Sequence, residues 1–234
     1  MEWAGREKHT GGIPRKLIFM AVGAFAKAVS NLLNTTSVHN ADTLIRLVRS
    51  RPSGVPLITV SNHMSTLDDP VMWGFKGFPT SDANLARWLH TFPEGKVTQE
   101  DAPIRRLKWG TASLIVRAPV TPIVLPIIHH GFEEVMPENF MFNRRPPFPL
   151  CNKSINIVVG EPIEFDLPKM RAKAISMSCD PSLPSRGWPS TSPCGLDEAA
   201  QKWLYSSISE QIRTVMESLR RFGKSILKQK VQHL

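Results

Sequence analysis

The chain has 234 residues, 41% of them hydrophobic, enough for one globular domain with a sizeable core and too apolar for a disordered or collagen-like polymer. A formal charge of +9 and a pI of about 9.8 point to anionic partners: nucleic acid, a phospholipid surface or a phosphorylated substrate. Cys151, Cys179 and Cys194 form no CxxC pair and leave one odd, which reads as free thiols in a reducing compartment and not as a zinc site.

The first apolar run, Leu17 to Ala26, is followed by Lys27, so it falls short of the ~20 uninterrupted residues that span a bilayer. Preceded by Arg6, Lys8, Arg15 and Lys16, it reads as an interfacial helix over 17–33, with its apolar body at the acyl boundary and its cations at the headgroups. A secretory leader and a buried core helix are the other readings of the same pattern.

Asn40 is placed to cap a second helix, ADTLIRLVRS, whose Leu44, Leu47 and Val48 share a face and which Arg51-Pro52-Ser53-Gly54 breaks. Val55 to Val60 is β-branched and apolar and predicts a buried strand, followed by a loop and a helix with Asp69 as N-cap and Pro70 in its first turn. Trp88 to Phe92 predicts a strand, Arg105 to Arg117 a helix, Ile123 to Ile128 a strand with a proline near its end, and Ile155 to Val159 another strand. Strands alternating with helices imply an α/β layer structure.

Residues 168–195 are dense in Pro and Ser and predict a long loop without chemistry. From Asp197 a last helix carries Ala200, Trp203, Leu204, Ile208, Ile212, Val215, Leu219 and Phe222 on one stripe. The chain thus divides into a basic segment with its interfacial helix (1–36), an α/β domain (37–167), the Pro/Ser-rich loop (168–195) and the terminal amphipathic helix (196–234).

The chemistry begins at SNHMSTLDD, residues 61–69. On one α-helix, five positions would set His63 and Asp68 about 140° apart, so the pair needs a loop between them. Asp68, just outside the next helix, can then fold back onto the Nδ1 proton of His63, fixing the tautomer and leaving Nε2 as a base. No serine nucleophile is required if the substrate brings its own hydroxyl. An isolated H-x4-D is equally a loop histidine beside a cap. A second strand-end element is FPEGK at 92–96, where Gly95 lets the backbone approach a ligand and Lys96 can meet phosphate. A third is TPIVLPIIHHG at 121–131. Three such ends converge, because ligands of α/β sheets bind outside the carboxyl ends of the strands. The basic residues have no RNP, zinc-finger or helix-turn-helix context, which argues against nucleic acid as a partner.

An NHxSxxD block followed by FPEG resembles the glycerolipid acyltransferases. SVHN at 37–40, PLITVSNHMSTLDDP at 56–70, LHTFPEGKV at 89–97, LKWG at 107–110 and PIVLPIIHHGFEEVMP at 122–137 resemble the tafazzin family, its plant members above all. The resemblance covers most of residues 1–165. It implies a central mixed sheet flanked by helices, an N-terminal interfacial helix and a C-terminal helix. It also implies His63 as general base on a lysophospholipid hydroxyl, with Asp68 orienting it. Asn62, Ser65, Phe92, Pro93, Glu94, Gly95 and Lys96 would shape the glycerophosphate site, and Pro126 with its strand would line the acyl pocket. The implied reaction is phospholipid remodelling, of cardiolipin or by N-acylation of phosphatidylethanolamine. It requires no bound cofactor and draws on acyl-CoA or another phospholipid as donor. The implied place is the surface of a phospholipid membrane, mitochondrial first, held peripherally.

The chain departs from the family at one point. Family members carry a strand, an amphipathic helix and an arginine-bearing segment between the two motifs, whereas here His63 and Glu94 are only 31 positions apart. The chain therefore reads as internally shortened, and the alternative to an active acyltransferase is an impaired relative that binds lipid.

Overall fold

The runs 57–61 and 123–130 pair as parallel strands, and the rest of the sheet is laid out from them. In a computed structural model, which describes residues 13–79, 88–100, 102–178 and 198–232, the strands are Thr35–His39 (β1), Leu57–Ser61 (β2), Trp88–Thr91 (β3), Ile123–His130 (β4) and Ser154–Val159 (β5). Their order is β1-β5-β4-β2-β3. β2 runs parallel to β3 and β4, β1 runs parallel to β5, and β4 is antiparallel to β5, so the sheet is mixed, as the family resemblance implied. β1 lies in SVHN and its preceding threonines, a stretch whose polarity hid it from an apolar-run reading.

The helices are Ile13–Lys27 (α1), continued by a π-helical turn Ala28–Leu33, then Ala41–Ser50 (α2), Asp68–Met72 (α3), Gly110–Arg117 (α4), Phe132–Val135 (α5), Leu167–Ser178 (α6) and Glu198–Gln232 (α7). Alternation along the strands splits the core into two layers. Val124 and Ile128 of β4 join Ile58 and Val60 of β2 beneath α4, α6 and α7, while Leu125 and Ile127 join Leu57 and Ile155 beneath α2, α3, α5 and the π-helical turn.

Four local expectations need correction. Asn40 is left-handed at φ 57° and makes no capping bond to the α2 backbone; its side chain instead accepts from Thr43 and donates to Glu161. The helix predicted from Arg105 starts only at Gly110, because backbone bonds from Ile104 to Glu217 and from Lys108 to Pro93 hold the preceding residues extended. The loop predicted from 168 is helical to Ser178: Asp166 accepts the Lys169 N–H at 3.1 Å, Pro168 sits in the first turn, and Ala174 is fully buried. Residues 179–195 of that predicted loop lie outside the described residues. On α7 the stripe passes through Ala200, Leu204, Ile208, Ile212 and Met216, and Phe222 is exposed.

The N-terminal helix is docked only at its end. Ser30 donates to the Val71 carbonyl at 2.9 Å and Asn31 to that of Gly74 at 2.7 Å, and a Cβ on Gly74 would stand 2.3 Å from the Ala26 carbonyl oxygen. Leu17, Ile18, Met20, Val22 and Phe25 remain exposed, so this is not the buried core helix of the alternative reading. Among the described residues, no helix is long and apolar enough to cross a membrane.

α7 also supplies the charge that ties the two halves of the site's cover together. Glu217 receives Arg220 at 2.7 Å and the Ile104 N–H at 3.1 Å; the Arg220 hydrogen bond, above all, holds its carboxyl down at about 2, against the desolvation of its buried site. A carboxyl lowered from its ordinary 4.5 stabilises the fold fully above that value and ceases to do so as pH falls through about 2. Glu217→Gln should therefore lower the thermal unfolding midpoint near neutral pH, and the gap from the unaltered chain should close on acidification toward about pH 2. A pH series of unfolding midpoints checks this.

Candidate functional site

The site forms where β2, β3 and β4 end on the same side of the sheet, each strand delivering one short loop. His63 follows β2, and its Nδ1 lies 2.9 Å from Asp68 Oδ2. That carboxylate oxygen also accepts the backbone N–H groups of Met64 at 2.6 Å and Ser65 at 2.8 Å, while the Asp68 side chain is fully buried. A single carboxylate thus folds the loop onto itself and orients the ring. The helix begins at Asp68 rather than at Asp69–Pro70, because Asp68 closes this turn; Asp69 caps nothing and only meets the Trp73 indole at 3.5 Å.

The imidazole of His63 stacks on Phe92, with ring centroids 4.0 Å apart and planes at 17°. With Nδ1 engaged and the face covered, Nε2 has no hydrogen-bond partner among the described residues, and the side chain is 21% exposed. An imidazole so placed is a base whose tautomer is set by its neighbour.

FPEGK forms a turn in which Gly95, left-handed at φ 68°, donates to the Phe92 carbonyl at 3.0 Å. Pro93 is buried, and its carbonyl accepts the Lys108 N–H at 2.8 Å. Burial raises the pKa of Glu94, opposed in part by the nearby backbone N–H groups of Arg105 and His63. The Thr98 N–H donates to the His63 carbonyl at 2.8 Å and joins this turn to the His63 loop. Lys96 is exposed. A cleft lined by Met64, Glu94, Thr98, Ile104, Arg105 and Arg220 opens beside these loops.

Asn62 and Ser65 are buried and hold the scaffold. Asn62 clamps the His129 backbone from both sides, donating to its carbonyl at 2.9 Å and accepting its N–H at 3.0 Å. Ser65 accepts the Leu67 N–H at 3.2 Å. Pro126, expected near the end of its strand, sits in the middle of β4, opposite Val60 and packed closely on Gly160.

Three residues of the site escaped the sequence reading. His129 is wholly buried, with Nε2 2.8 Å from the Asn62 carbonyl and 3.7 Å from Asp68 Oδ2. His90 sits between Thr59 at 2.8 Å and Ser61 at 3.2 Å; burial, then the charges of His129 and His63, lower it to about 3 and keep it neutral. Gln99 donates to the carbonyls of Met64 and Met136 and accepts the Glu138 N–H. The parity of HTFPEG and IIHHG on their strands could have flagged the histidines; nothing local marks Gln99.

No protein-family model matches the chain. N-acylphosphatidylethanolamine synthase of Arabidopsis thaliana is 53% identical to it over 280 aligned positions, covering 97% of this chain and 99% of that protein. The alignment is longer than the 234 residues present, so that relative carries residues this chain lacks. Tafazzin of Drosophila melanogaster is 30% identical over 64% of this chain and 52% of its own length. The solved 1-acyl-sn-glycerophosphate acyltransferase of Thermotoga maritima superposes with a TM-score of 0.45 at 16% identity, covering 88% of this chain and 84% of that one.

Removing the Asn62 amide leaves two buried backbone groups of His129 without partners. Asn62→Ala should therefore cost about 1–3 kcal/mol, or more if both groups stay dry. Asp69→Ala should stay within about 0.5 kcal/mol, since no cap is lost. Denaturant unfolding of both variants compares them.

Proposed function

Because the chain belongs to the acyltransferase family of N-acylphosphatidylethanolamine synthase and tafazzin, we propose that His63 catalyses transfer of a fatty acyl group to a phospholipid acceptor at a membrane surface. The observation that carries this reading is the 2.9 Å bond between His63 Nδ1 and a buried Asp68, which leaves Nε2 for the acceptor. Nε2 takes the proton of a lysophospholipid hydroxyl, or of the amine of phosphatidylethanolamine, as that atom attacks the acyl carbonyl. The tetrahedral intermediate then collapses, and the imidazolium gives its proton to the departing thiolate or lysophospholipid oxygen. Asp68 stabilises the imidazolium between these steps.

The acyl donor is acyl-CoA or a second phospholipid, and no bound cofactor is required. The name of the 53% identical relative favours the amine acceptor. The buried Pro93 and turning Gly95 shape the glycerophosphate site, where Lys96 and Arg105 supply positive charge. The exposed apolar body of α1 lies in the membrane interface, with a mitochondrial membrane as the first place to look.

One observation favours a second reading, in which the chain binds lipid with little turnover. It lacks residues that its 53% identical relative has, and β3, the strand carrying FPEG, pairs with β2 alone at the sheet's edge. The join at Arg87 lies outside the described residues. A phosphate clamp lost with such a segment removes charge-assisted hydrogen bonds worth roughly 1.5–3 kcal/mol each.

Acyl transfer is measured with radiolabelled phospholipid, lysophospholipid and phosphatidylethanolamine, with and without acyl-CoA. His63→Ala should abolish it, and Asp68→Asn should lower it by roughly four orders of magnitude through the wrong tautomer. Equal rates in His63→Ala and the unaltered chain would overturn the proposed mechanism. Inserting a family-like segment between Arg87 and Trp88 should raise transfer at least about tenfold. Equal rates would show the shortened site to be complete.

A further inference from the structure

The connection from α5 to β5 carries a hairpin that nothing in the catalytic geometry uses. Met141 and Arg144 bridge, the Arg144 N–H reaches the Met141 carbonyl at 3.1 Å, and Phe142 and Asn143 occupy the tip with φ of 55° and 54°. Such a two-residue turn with both φ positive favours Asn and Gly, and a bulky aromatic there is strained. Phe142 is nevertheless present and 91% exposed. Phe140, Met141 and Phe148 are exposed beside it, as is Arg144, which has no ion pair among the described residues, while Arg145 pairs with Glu138. An apolar tip kept at a backbone cost, with a cation at its base, is the composition of a group that enters a lipid interface.

The two ends of this connection place it. Gln99 holds Met136 and Glu138 at one end and the Met64 carbonyl, next to His63, at 2.8 Å. At the other end the Asn152 N–H donates to the Leu33 carbonyl at 2.7 Å and the Lys153 N–H to Asn34, where the exposed residues Leu32 and Leu33 close the π-helical turn after α1. The hairpin is therefore strung between the catalytic loop and the end of the apolar N-terminal helix.

We propose that the Phe140–Phe148 hairpin is a second membrane contact, distinct from α1, which inserts Phe142 and its apolar neighbours into an anionic phospholipid bilayer while Arg144 meets the lipid phosphates. It rests on the membrane-surface reading of the proposed function and adds the element that holds the mouth of the site against the bilayer. A free phosphate ligand would need the arginine alone; four exposed apolar side chains around it select a lipid surface.

The test uses the full chain and vesicles of equal parts phosphatidylcholine and phosphatidylglycerol. Phe142→Asn suits the left-handed turn better, so its unfolding midpoint should be unchanged or raised, while its partition into vesicles falls at least about tenfold. Phe148→Ser, outside the turn, should weaken partition in the same sense. Arg144→Glu should weaken it on these vesicles and little on pure phosphatidylcholine. Backbone amides of 138–148 should gain protection from hydrogen exchange when vesicles are added. Unchanged partition of Phe142→Asn, or protection that appears with protein concentration in the absence of vesicles, overturns the proposal. Because the readout is binding, a chain that partitions through the hairpin yet transfers no acyl group refutes the proposed function and leaves this inference standing.

Discussion

The site depends on one buried carboxylate. Asp68 Oδ2 gathers the His63 ring nitrogen and two backbone N–H groups within 2.9 Å, and without that convergence the residues after β2 have no reason to turn back over the strand end. Taking a carboxylate out of water is costly unless charge-assisted hydrogen bonds replace its hydration, and here the replacements come from the loop it must shape. Folding the loop and orienting the base are thus one event. Asn62 gives that event its fixed support: by clasping the His129 backbone it locks the end of β2 to β4, and His129 in turn comes within 3.7 Å of the same carboxylate oxygen.

Much of this was legible from residue types and spacing, because the loop's logic is local. Five positions between His63 and Asp68 exclude a shared helix face, and the apolar run before them ends where a strand must end. The division of the core was not read in advance, although simple alternation separates Leu125 and Ile127 from Val124 and Ile128. What escaped was decided at a distance. Residues 105–109 have helix-compatible sequence, yet Glu217 on α7 captures the N–H of Ile104 just before them and Pro93 in the turn captures that of Lys108, and tertiary bonds outweigh a propensity of a few tenths of a kcal/mol per residue. Asn40 failed as a cap because its side-chain oxygen accepts the Thr43 hydroxyl in place of a backbone N–H, while its amide reaches Glu161, far along the chain. The start of α6 was a different kind of miss, because Asp166 and Pro168 mark it locally and the Pro/Ser content of the following residues obscured them.

β3 pairs directly with β2 in the register Leu57 to Trp88, which brings Phe92 onto the His63 ring. The aromatic cluster of Trp73, Phe78 and Trp88 packs where β3 meets the segment after α3, and the Trp88 indole donates to Thr59 at 2.9 Å. Among the described residues β3 is an edge strand with Leu89 exposed, held by its backbone ladder to β2 and by these side chains. The stacking of His63 on Phe92 is kept in this arrangement, so under the proposed function the question of activity narrows to how a phosphate would be held.

That narrowing also explains why the cover over FPEGK matters. The turn makes few bonds of its own beyond Gly95 to Phe92, and its position comes from the Lys108 N–H on the Pro93 carbonyl and the Thr98 N–H on the His63 carbonyl, each at 2.8 Å. The same extended segment is anchored at Ile104 by Glu217, a residue of the last helix. The segment that leads to Lys108 is therefore anchored by a carboxylate on α7, more than a hundred positions away in sequence. In a site assembled in this way the bonds that orient the His63 ring lie within one loop, while those that cover the FPEGK turn come from elements later in the chain.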